Sequence, residues 1–146
     1  MKVYTGGTFD LFHEGHVSLL KNCKRLAGDG EVVVALNTDE FVEQFKGRRP
    51  AVSYAGRKEV LESCRYVSRV IPNTDGADSK PTILSVRPDV IAIGVDWAPP
   101  KDYYAQMNFT AQWLDENGIL LVYLPRPVDG QSSTRIKAQV INGAAG

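Results

Sequence analysis

Two histidines, His13 and His16, are the only ones in the chain, and they lie three residues apart in the stretch YTGGTFDLFHEGHVSLL. This spacing puts both side chains on one face of a helical turn, where they can act on one bound group. Glycines before them allow a tight turn and a close approach of backbone to ligand. A helix that begins near His13 would add unpaired N–H groups, so the stretch predicts a phosphate site.

Two other interpretations of the histidines are open. One histidine could cap the helix while the other is an ordinary surface side chain, which is the common role of a lone histidine. HEGH also resembles the zinc motif that carries two histidines and a glutamate on one helix. In that motif the histidines stand four apart, whereas here they stand three apart and no third ligand is evident.

The elements that must position this stretch follow from hydrophobic patterning. Helical spacing in the second half of SYAGRKEVLESCRYV, a cap at Thr38 and a helix end at Gly118 indicate helices between strands. This alternation predicts an α/β fold, a Rossmann-like three-layer α/β/α sandwich with a mostly parallel sheet, and ligands bind such sheets at the carboxyl ends of the strands. Runs rich in Val, Ile and Leu predict five strands, at 2–4, 31–36, 69–71, 89–93 and 119–124.

Composition narrows the class of partner. The chain has 146 residues, 43% of them hydrophobic, and no formal net charge, which predicts one domain over residues 1–146. Balanced charge gives no case for a nucleic-acid or membrane surface as partner. The longest apolar runs are strand-sized and no leader segment is evident, so the prediction is a cytoplasmic protein. Cys23 and Cys64 are interpreted as small buried hydrophobes.

Several motifs together resemble those of one known family. GTFDLFHEGHVSLL resembles the (H/T)xGH signature of the nucleotidyltransferase superfamily, in the form carried by cytidylyltransferases and especially glycerol-3-phosphate cytidylyltransferases. Similar motifs follow in the family's order: NTDEF after the second strand, the basic loop and Tyr-x-x-Arg helix of KGRRPAVSYAGRKEVLESCRYVSRVIP, GVDW after the fourth strand, and SSTRIK near the end.

The resemblance implies transfer of CMP from CTP to a phosphorylated alcohol, with glycerol 3-phosphate expected, and release of pyrophosphate. The acceptor phosphate is already ionised, so catalysis would consist of positioning and charge stabilisation by direct in-line attack. Magnesium ion is implied as cofactor because a reacting triphosphate normally carries a divalent ion. Similar enzymes are commonly homodimers, and RYVSRVIP is where the contact is expected.

The resemblance also implies roles for individual residues. The expected catalytic residues are His13, His16, Lys46 and Arg126. The expected nucleotide-binding residues are Gly7, Thr8, Phe9, Asp10, Gly15, Gly94, Asp96, Trp97, Ser132, Ser133 and Thr134. Arg57 and Arg65 are expected at the acceptor, with no metal ligand assigned.

Several of these residues have an ordinary structural alternative. Asp10 could orient the metal ion or cap a turn, and Trp97 could be a core residue. One of the three hydroxyl residues of SST could serve only as a helix cap. Arg57 could meet the acceptor phosphate or support the site, and Arg65 could do the same or stabilise a subunit contact. For Lys46, with Arg48 and Arg49, the alternative is a solvated basic loop.

Two departures from the family pattern leave the substrates open. Gln131 stands where the glycerol-phosphate enzymes usually have Ile, and one extra residue separates Arg126 from Gly130. The segment APPKDYYAQMNFTAQWLDENG is longer than its counterpart and could reshape the acceptor pocket through Tyr103 and Tyr104, or it could be an added packed helix. An ATP-dependent adenylyltransferase of the same superfamily and a non-catalytic nucleotide-binding module are the alternative functions.

Overall fold

A computed structural model describes residues 1–74, 78–94, 103–125, 136 and 139–140, and its strands form one parallel sheet. The strand order is β3-β2-β1-β4-β5, and every ladder is parallel. The predicted α/β class and all five predicted strands are therefore confirmed. The strands are β1 (Val3–Gly7), β2 (Val32–Asn37), β3 (Arg69–Asn73), β4 (Val90–Gly94) and β5 (Leu120–Leu124).

Helices lie between the strands in sequence. Thr38 caps α2 as predicted, because its hydroxyl accepts the Phe41 N–H at 3.2 Å. None of the described helices is long and apolar enough to cross a membrane. The helices are α1 (Glu14–Ala27), α2 (Asp39–Lys46), α3 (Tyr54–Glu62), α4 (Lys80–Val86), α5 (Tyr103–Met107) and α6 (Ala111–Glu116).

The sheet is buried on both faces, which explains why its strands are continuous apolar runs. Tyr4 and Ile91 point to a cluster that includes Ile83 of α4 and Leu114 of α6. Residues that alternate with them, such as Val3, point to the opposite face, where Cys23 and Ala27 of α1 pack. Leu61 of α3 lies with Val34 and Leu36 in a third cluster, which includes Leu20 of α1. The result is the predicted three-layer sandwich.

The helical pattern predicted through Val67 is wrong at its C-terminal end. Helix α3 ends at Glu62, because the Ser63 hydroxyl donates to the Val60 carbonyl at 2.7 Å and competes with helix continuation. Turns follow, with the Cys64 N–H bonded to the Leu61 carbonyl at 3.0 Å. Cys64 is half-buried rather than buried, whereas Cys23 is fully buried.

The glycines predicted to form a tight turn after β1 are instead its last two residues. Gly6 and Gly7 pair with Ala35 and Leu36 of β2. Non-glycine residues make the turn, with φ of +50° at both Phe9 and Leu11. Glycine at position 7 leaves room for the Phe9 ring, since a Cβ there would lie 3.0 Å from the ring and would require it to shift.

A crevice opens at the carboxyl end of the sheet between β1 and β4. The ladder between these strands covers only Val3 with Val90 and Tyr4 with Ile91, so the last three residues of β1 have no partner in β4. Strand β1 lies between β2 and β4. The chain therefore continues from β1 in one direction along the strand order, to β2 and β3, and returns to add β4 and β5 in the other direction. This is the point at which parallel α/β sheets bind their ligands.

Candidate active site

The two histidines form a reciprocal cap at the start of α1, beside this crevice. Nδ1 of His13 accepts the Gly15 N–H at 3.1 Å, and Nδ1 of His16 accepts the His13 N–H at 3.2 Å. The imidazole rings stack with their centroids 3.9 Å apart. The structure therefore brings both side chains together at one helix N-terminus, where the remaining N–H groups and the helix dipole favour an anion.

These two hydrogen bonds also determine the tautomer of each histidine. A neutral imidazole that accepts a hydrogen bond at Nδ1 carries its proton at Nε2. His13 and His16 therefore each present an Nε2–H donor. Phe9 and Phe12 hold the His16 ring, with centroids 5.3 Å and 5.4 Å from it, and both histidines are half-buried.

Asp10 joins the loop after β1 to the loop before α3. Its carboxylate accepts the N–H groups of Leu11 at 3.1 Å, Ala51 at 2.8 Å and Val52 at 3.0 Å. The side chain is buried together with Phe9. Asp10 thus positions the loop that carries Thr8, and this geometry supports the turn-forming alternative for Asp10.

Arg57 is buried below the same loop and donates four hydrogen bonds. Its guanidinium reaches the carbonyls of Thr8 and Asn37, each at 2.8 Å, and Val52 at 2.9 Å. The fourth bond, at 2.7 Å, goes to the carboxylate of Asp39. Because the side chain is only 1% exposed, this geometry supports the site-supporting role of Arg57 and not a direct contact with an acceptor phosphate.

Asp39 connects the first turns of α2 and α3. Its carboxylate accepts the Tyr54 N–H at 3.1 Å in addition to the Arg57 bond. Burial opposes the charged form, but the Tyr54 N–H and the Arg57 guanidinium outweigh it and hold the pKa of Asp39 below its ordinary value. The ionised carboxylate is therefore part of the support beneath the loop.

The basic loop after α2 is exposed. Lys46 is the last residue of α2, and its ammonium lies 5.6 Å from the Phe45 ring centroid. Arg48 is exposed, while Arg49 bonds Glu43 at 2.8 Å and lies 3.7 Å from Glu40. Acidic residues of α2 thus already pair with Arg49, so Arg48 is a better candidate than Arg49 for binding an anion.

Arg65 lies away from the histidines. The Ser68 N–H, three residues further on, bonds the carbonyl of Val32 at 2.9 Å, and Val32 begins β2. This places the segment at the amino ends of the strands, at the end of the sheet opposite the crevice. Arg65 is exposed and bonds the Tyr66 hydroxyl at 2.9 Å, so the structure does not bring it to the proposed phosphate site.

The remaining predicted residues divide into two groups. Gly94 ends β4 at the crevice, and a Cβ there would meet no atom within 4 Å. Tyr104 packs against Phe109 at 5.7 Å on the core, which supports the added-helix alternative for the long segment, and Tyr103 begins α5. The residues that lie outside the described part of the chain are Asp96, Trp97, Arg126, Gln131, Ser132, Ser133 and Thr134.

Sequence reasoning missed three polar residues beneath the loop: Asn37, Asp39 and Asn73. The side chains of Asn37 and Asn73 bond each other at 2.9 Å, and Asn37 bonds Thr8 at 3.1 Å. Two sequence signals were available: Asn37 and Asp39 belong to the NTDEF motif, and each asparagine ends an apolar strand at the ligand-binding end of the sheet.

Known proteins resemble this chain over most of its length. A glycerol-3-phosphate cytidylyltransferase of Bacillus subtilis (strain 168) is 40% identical over 139 residues, which cover 95% of this chain and 96% of the relative. An FAD synthase of Korarchaeum cryptofilum is 36% identical over 139 residues, covering 93% and 89%. The crystal structure of a lipopolysaccharide core biosynthesis protein from Thermoplasma volcanium GSS1 has a TM-score of 0.69 at 27% identity, covering 87% of this chain and 98% of the other.

The family model described as cytidylyltransferase-like matches residues 4–139. That span includes the histidine cap, the loop after β1 and the basic loop after α2. The family resemblance read from the motifs is therefore confirmed, and the chain belongs to the cytidylyltransferase-like family.

Proposed function

We propose that the protein is a nucleotidyltransferase that transfers CMP from CTP to glycerol 3-phosphate, forming CDP-glycerol and pyrophosphate. The observation that carries the proposal is the reciprocal cap of His13 and His16, with two Nε2–H donors at a helix N-terminus beside the sheet crevice. The glycerol-3-phosphate cytidylyltransferases among its relatives support both the nucleotide and the acceptor.

The chemistry fits a site without a nucleophile or a strong base. An oxygen of the acceptor phosphate, ionised near neutral pH, attacks the α-phosphorus of CTP, and the bond to the β-phosphate bridging oxygen breaks as pyrophosphate leaves. Negative charge builds on the α-phosphate oxygens in this step. Because the donors of His13 and His16 are oriented beforehand, they stabilise that charge at little cost in reorganisation.

The cations and hydroxyls complete the proposed site. Lys46 is proposed to bind the triphosphate, and Arg126 to assist as pyrophosphate leaves. Ser132, Ser133 and Thr134 are proposed to bind the β- and γ-phosphates. Gly7, Thr8, Phe9, Gly15 and Gly94 are proposed to line the nucleotide site with Asp96 and Trp97. Arg48, which is exposed in the basic loop, is proposed to bind the acceptor phosphate in place of Arg57 and Arg65, because Arg57 is buried and Arg65 lies at the opposite end of the sheet.

Magnesium is proposed to enter with the nucleotide and not to occupy a site built by the protein. Among the described residues, no group of three or more His, Cys, Asp or Glu side chains could hold a metal ion. The carboxylate oxygens of Asp10 accept backbone N–H groups, which makes this residue a poor ligand. Magnesium is commonly ligated by phosphate oxygens and water, so the ion is proposed to bind as part of the CTP substrate.

The decisive experiment measures pyrophosphate release with magnesium, for CTP, ATP, UTP and GTP, each with a panel of phosphorylated alcohols that includes glycerol 3-phosphate. We expect release that requires CTP and glycerol 3-phosphate together. ATP is included because FAD synthases are among the relatives. Pyrophosphate release with ATP and an acceptor, but not with CTP, would establish an adenylyltransferase instead. Binding of CTP without release for any acceptor would favour the non-catalytic module.

We further propose a homodimer in the cytoplasm, where nucleoside triphosphates are available. Support for the dimer is the position of the RYVSRVIP segment at the lateral edge of the sheet formed by β3, where four of its eight residues are exposed. Sedimentation equilibrium on the purified protein tests it, and a mass of one chain of 16.1 kDa at micromolar concentration would refute it.

A further inference from the structure

A chain of side-chain hydrogen bonds crosses the carboxyl edge of the sheet beside the proposed site. Nδ2 of Asn73 donates to Oδ1 of Asn37 at 2.9 Å, and Nδ2 of Asn37 donates to Oγ1 of Thr8 at 3.1 Å. Asn37 and Asn73 are register partners at the ends of β2 and β3. Thr8 directly follows β1, so the hydrogen-bonded series of Asn73, Asn37 and Thr8, which we call the amide chain, connects three neighbouring strands at the end of the sheet where a ligand binds.

The amide chain has a direction, because the Nδ2 group of each asparagine donates its hydrogen bond toward Thr8. A hydroxyl has one hydrogen and two lone pairs, and Asn37 occupies one lone pair of Thr8. No described residue accepts the hydrogen of that hydroxyl. Hydrogen bonds in such a chain polarise one another, so the Thr8 hydroxyl is held as a donor.

Stability alone does not explain an asparagine at position 73. The residue is 7% exposed, and its Oδ1 is buried with no donor among the described residues. An unsatisfied buried acceptor is unfavourable for folding. The strands are already joined here by the backbone, since the Thr38 N–H donates to the Asn73 carbonyl at 3.3 Å.

We propose that Asn73 and Asn37 are positioning residues that hold the Thr8 hydroxyl as a hydrogen-bond donor to a phosphate oxygen of the bound nucleotide. This inference rests on the proposed function, because it requires a nucleotide phosphate beside Thr8. Neither asparagine touches substrate; both act through Thr8. Arg57 supports the same arrangement from below, through the carbonyls of Thr8 and Asn37.

The substitution Asn73→Asp tests the direction of the amide chain, because an ionised carboxylate only accepts hydrogen bonds. Asn37 must then turn its Nδ2 toward position 73, and its Oδ1 faces Thr8. The Thr8 hydroxyl donates back to Asn37 and is lost to the substrate. We expect kcat/KM for CTP to fall by about ten- to a hundredfold, the range for one hydrogen bond to a charged oxygen. Asn73→Leu removes the donor without reversing the direction and should cost less than about fivefold.

A double-substitution cycle separates this role from a structural one. Thr8→Val removes the hydroxyl, so in that background Asn73→Asp should change kcat/KM less than about twofold. Losses that multiply independently would mean that Asn73 acts through the fold, which overturns the proposal. If the Asn73→Asp protein does not fold by urea titration, Asn37→Ala takes its place, with a smaller expected loss of about three- to tenfold and the same dependence on Thr8.

The wild-type protein, measured in parallel, separates the two proposals. Absence of pyrophosphate release by the wild type would refute the proposed function, and the role of the amide chain would fall with it. Normal wild-type turnover, with kcat/KM of Asn73→Asp within twofold of it, would overturn the amide chain alone.

Discussion

Replacing Arg57 with methionine should destabilise the whole fold, because the guanidinium holds three segments together. Methionine has a similar length but donates no hydrogen bond. The substitution leaves the carbonyls of Thr8, Asn37 and Val52 without their donor, and it leaves the Asp39 carboxylate without its cationic partner.

The magnitude follows from burial. The Arg57 side chain is 1% exposed and that of Asp39 is 16% exposed. Removing one partner of a buried ion pair typically costs about 3–5 kcal/mol. Partial exposure of Asp39 lets water offset part of this cost, while the three orphaned carbonyls add to it at about 1 kcal/mol each. We therefore expect a loss of about 3–5 kcal/mol, a large part of the about 5–15 kcal/mol that stabilises a typical domain.

Urea denaturation followed by circular dichroism measures this loss. With an m-value of about 2 kcal/mol/M, the midpoint should fall by about 1.5–2.5 M. Arg65→Met is the matched control: Arg65 is exposed and, within the described part of the chain, its side chain bonds the neighbouring Tyr66 alone, so the midpoint of this variant should move by less than about 0.3 M. A midpoint for Arg57→Met within about 0.5 M of wild type, together with a raised KM for the acceptor, would refute the structural role and restore Arg57 as an acceptor ligand.

Three further predictions concern His16, Asp39 and the two cysteines. His16→Ala should lower kcat by about a hundredfold or more with CTP affinity changed only a few-fold, because its donor acts on charge that develops in the transition state; calorimetry with CTP beside turnover checks this, and weaker binding at unchanged kcat would contradict it. The pKa of Asp39 is lowered in the folded protein from its ordinary value of 3.8. The contribution of Asp39 to the free energy of unfolding is therefore fully present above pH 3.8 and is lost as the pH falls through the lower pKa of the folded state. Asp39→Asn should therefore be less stable than wild type at neutral pH, with the difference narrowing below about pH 4 in urea titrations; a constant difference would count against it. Burial raises the pKa of the Cys23 thiol to about 12, so a thiol reagent at neutral pH should modify the half-buried Cys64 and leave Cys23 intact until the protein unfolds, as peptide mass mapping would show.

What the sequence determines in this protein is local or repetitive. Strands buried on both faces must be continuous apolar runs, so all five were predictable without knowledge of their neighbours. His13 and His16 meet because a helical turn places residues three apart on one face. Thr38 caps α2 because its hydroxyl accepts the N–H of Phe41, only three residues further along the chain. The family motifs could be recognised in order for the same reason, since each is a short contiguous segment.

What only the tertiary structure decides depends on residues distant in sequence. Gly6 and Gly7 lie in β1, not in the turn, because β2 is there to pair with them. Arg57 looks in sequence like a cation available to a phosphate, but packing directs its donors to carbonyls 5, 20 and 49 residues away. Asn37 and Asn73 meet only because β2 and β3 are adjacent and in register. Such contacts depend on strand order and packing, which no local pattern in the sequence encodes.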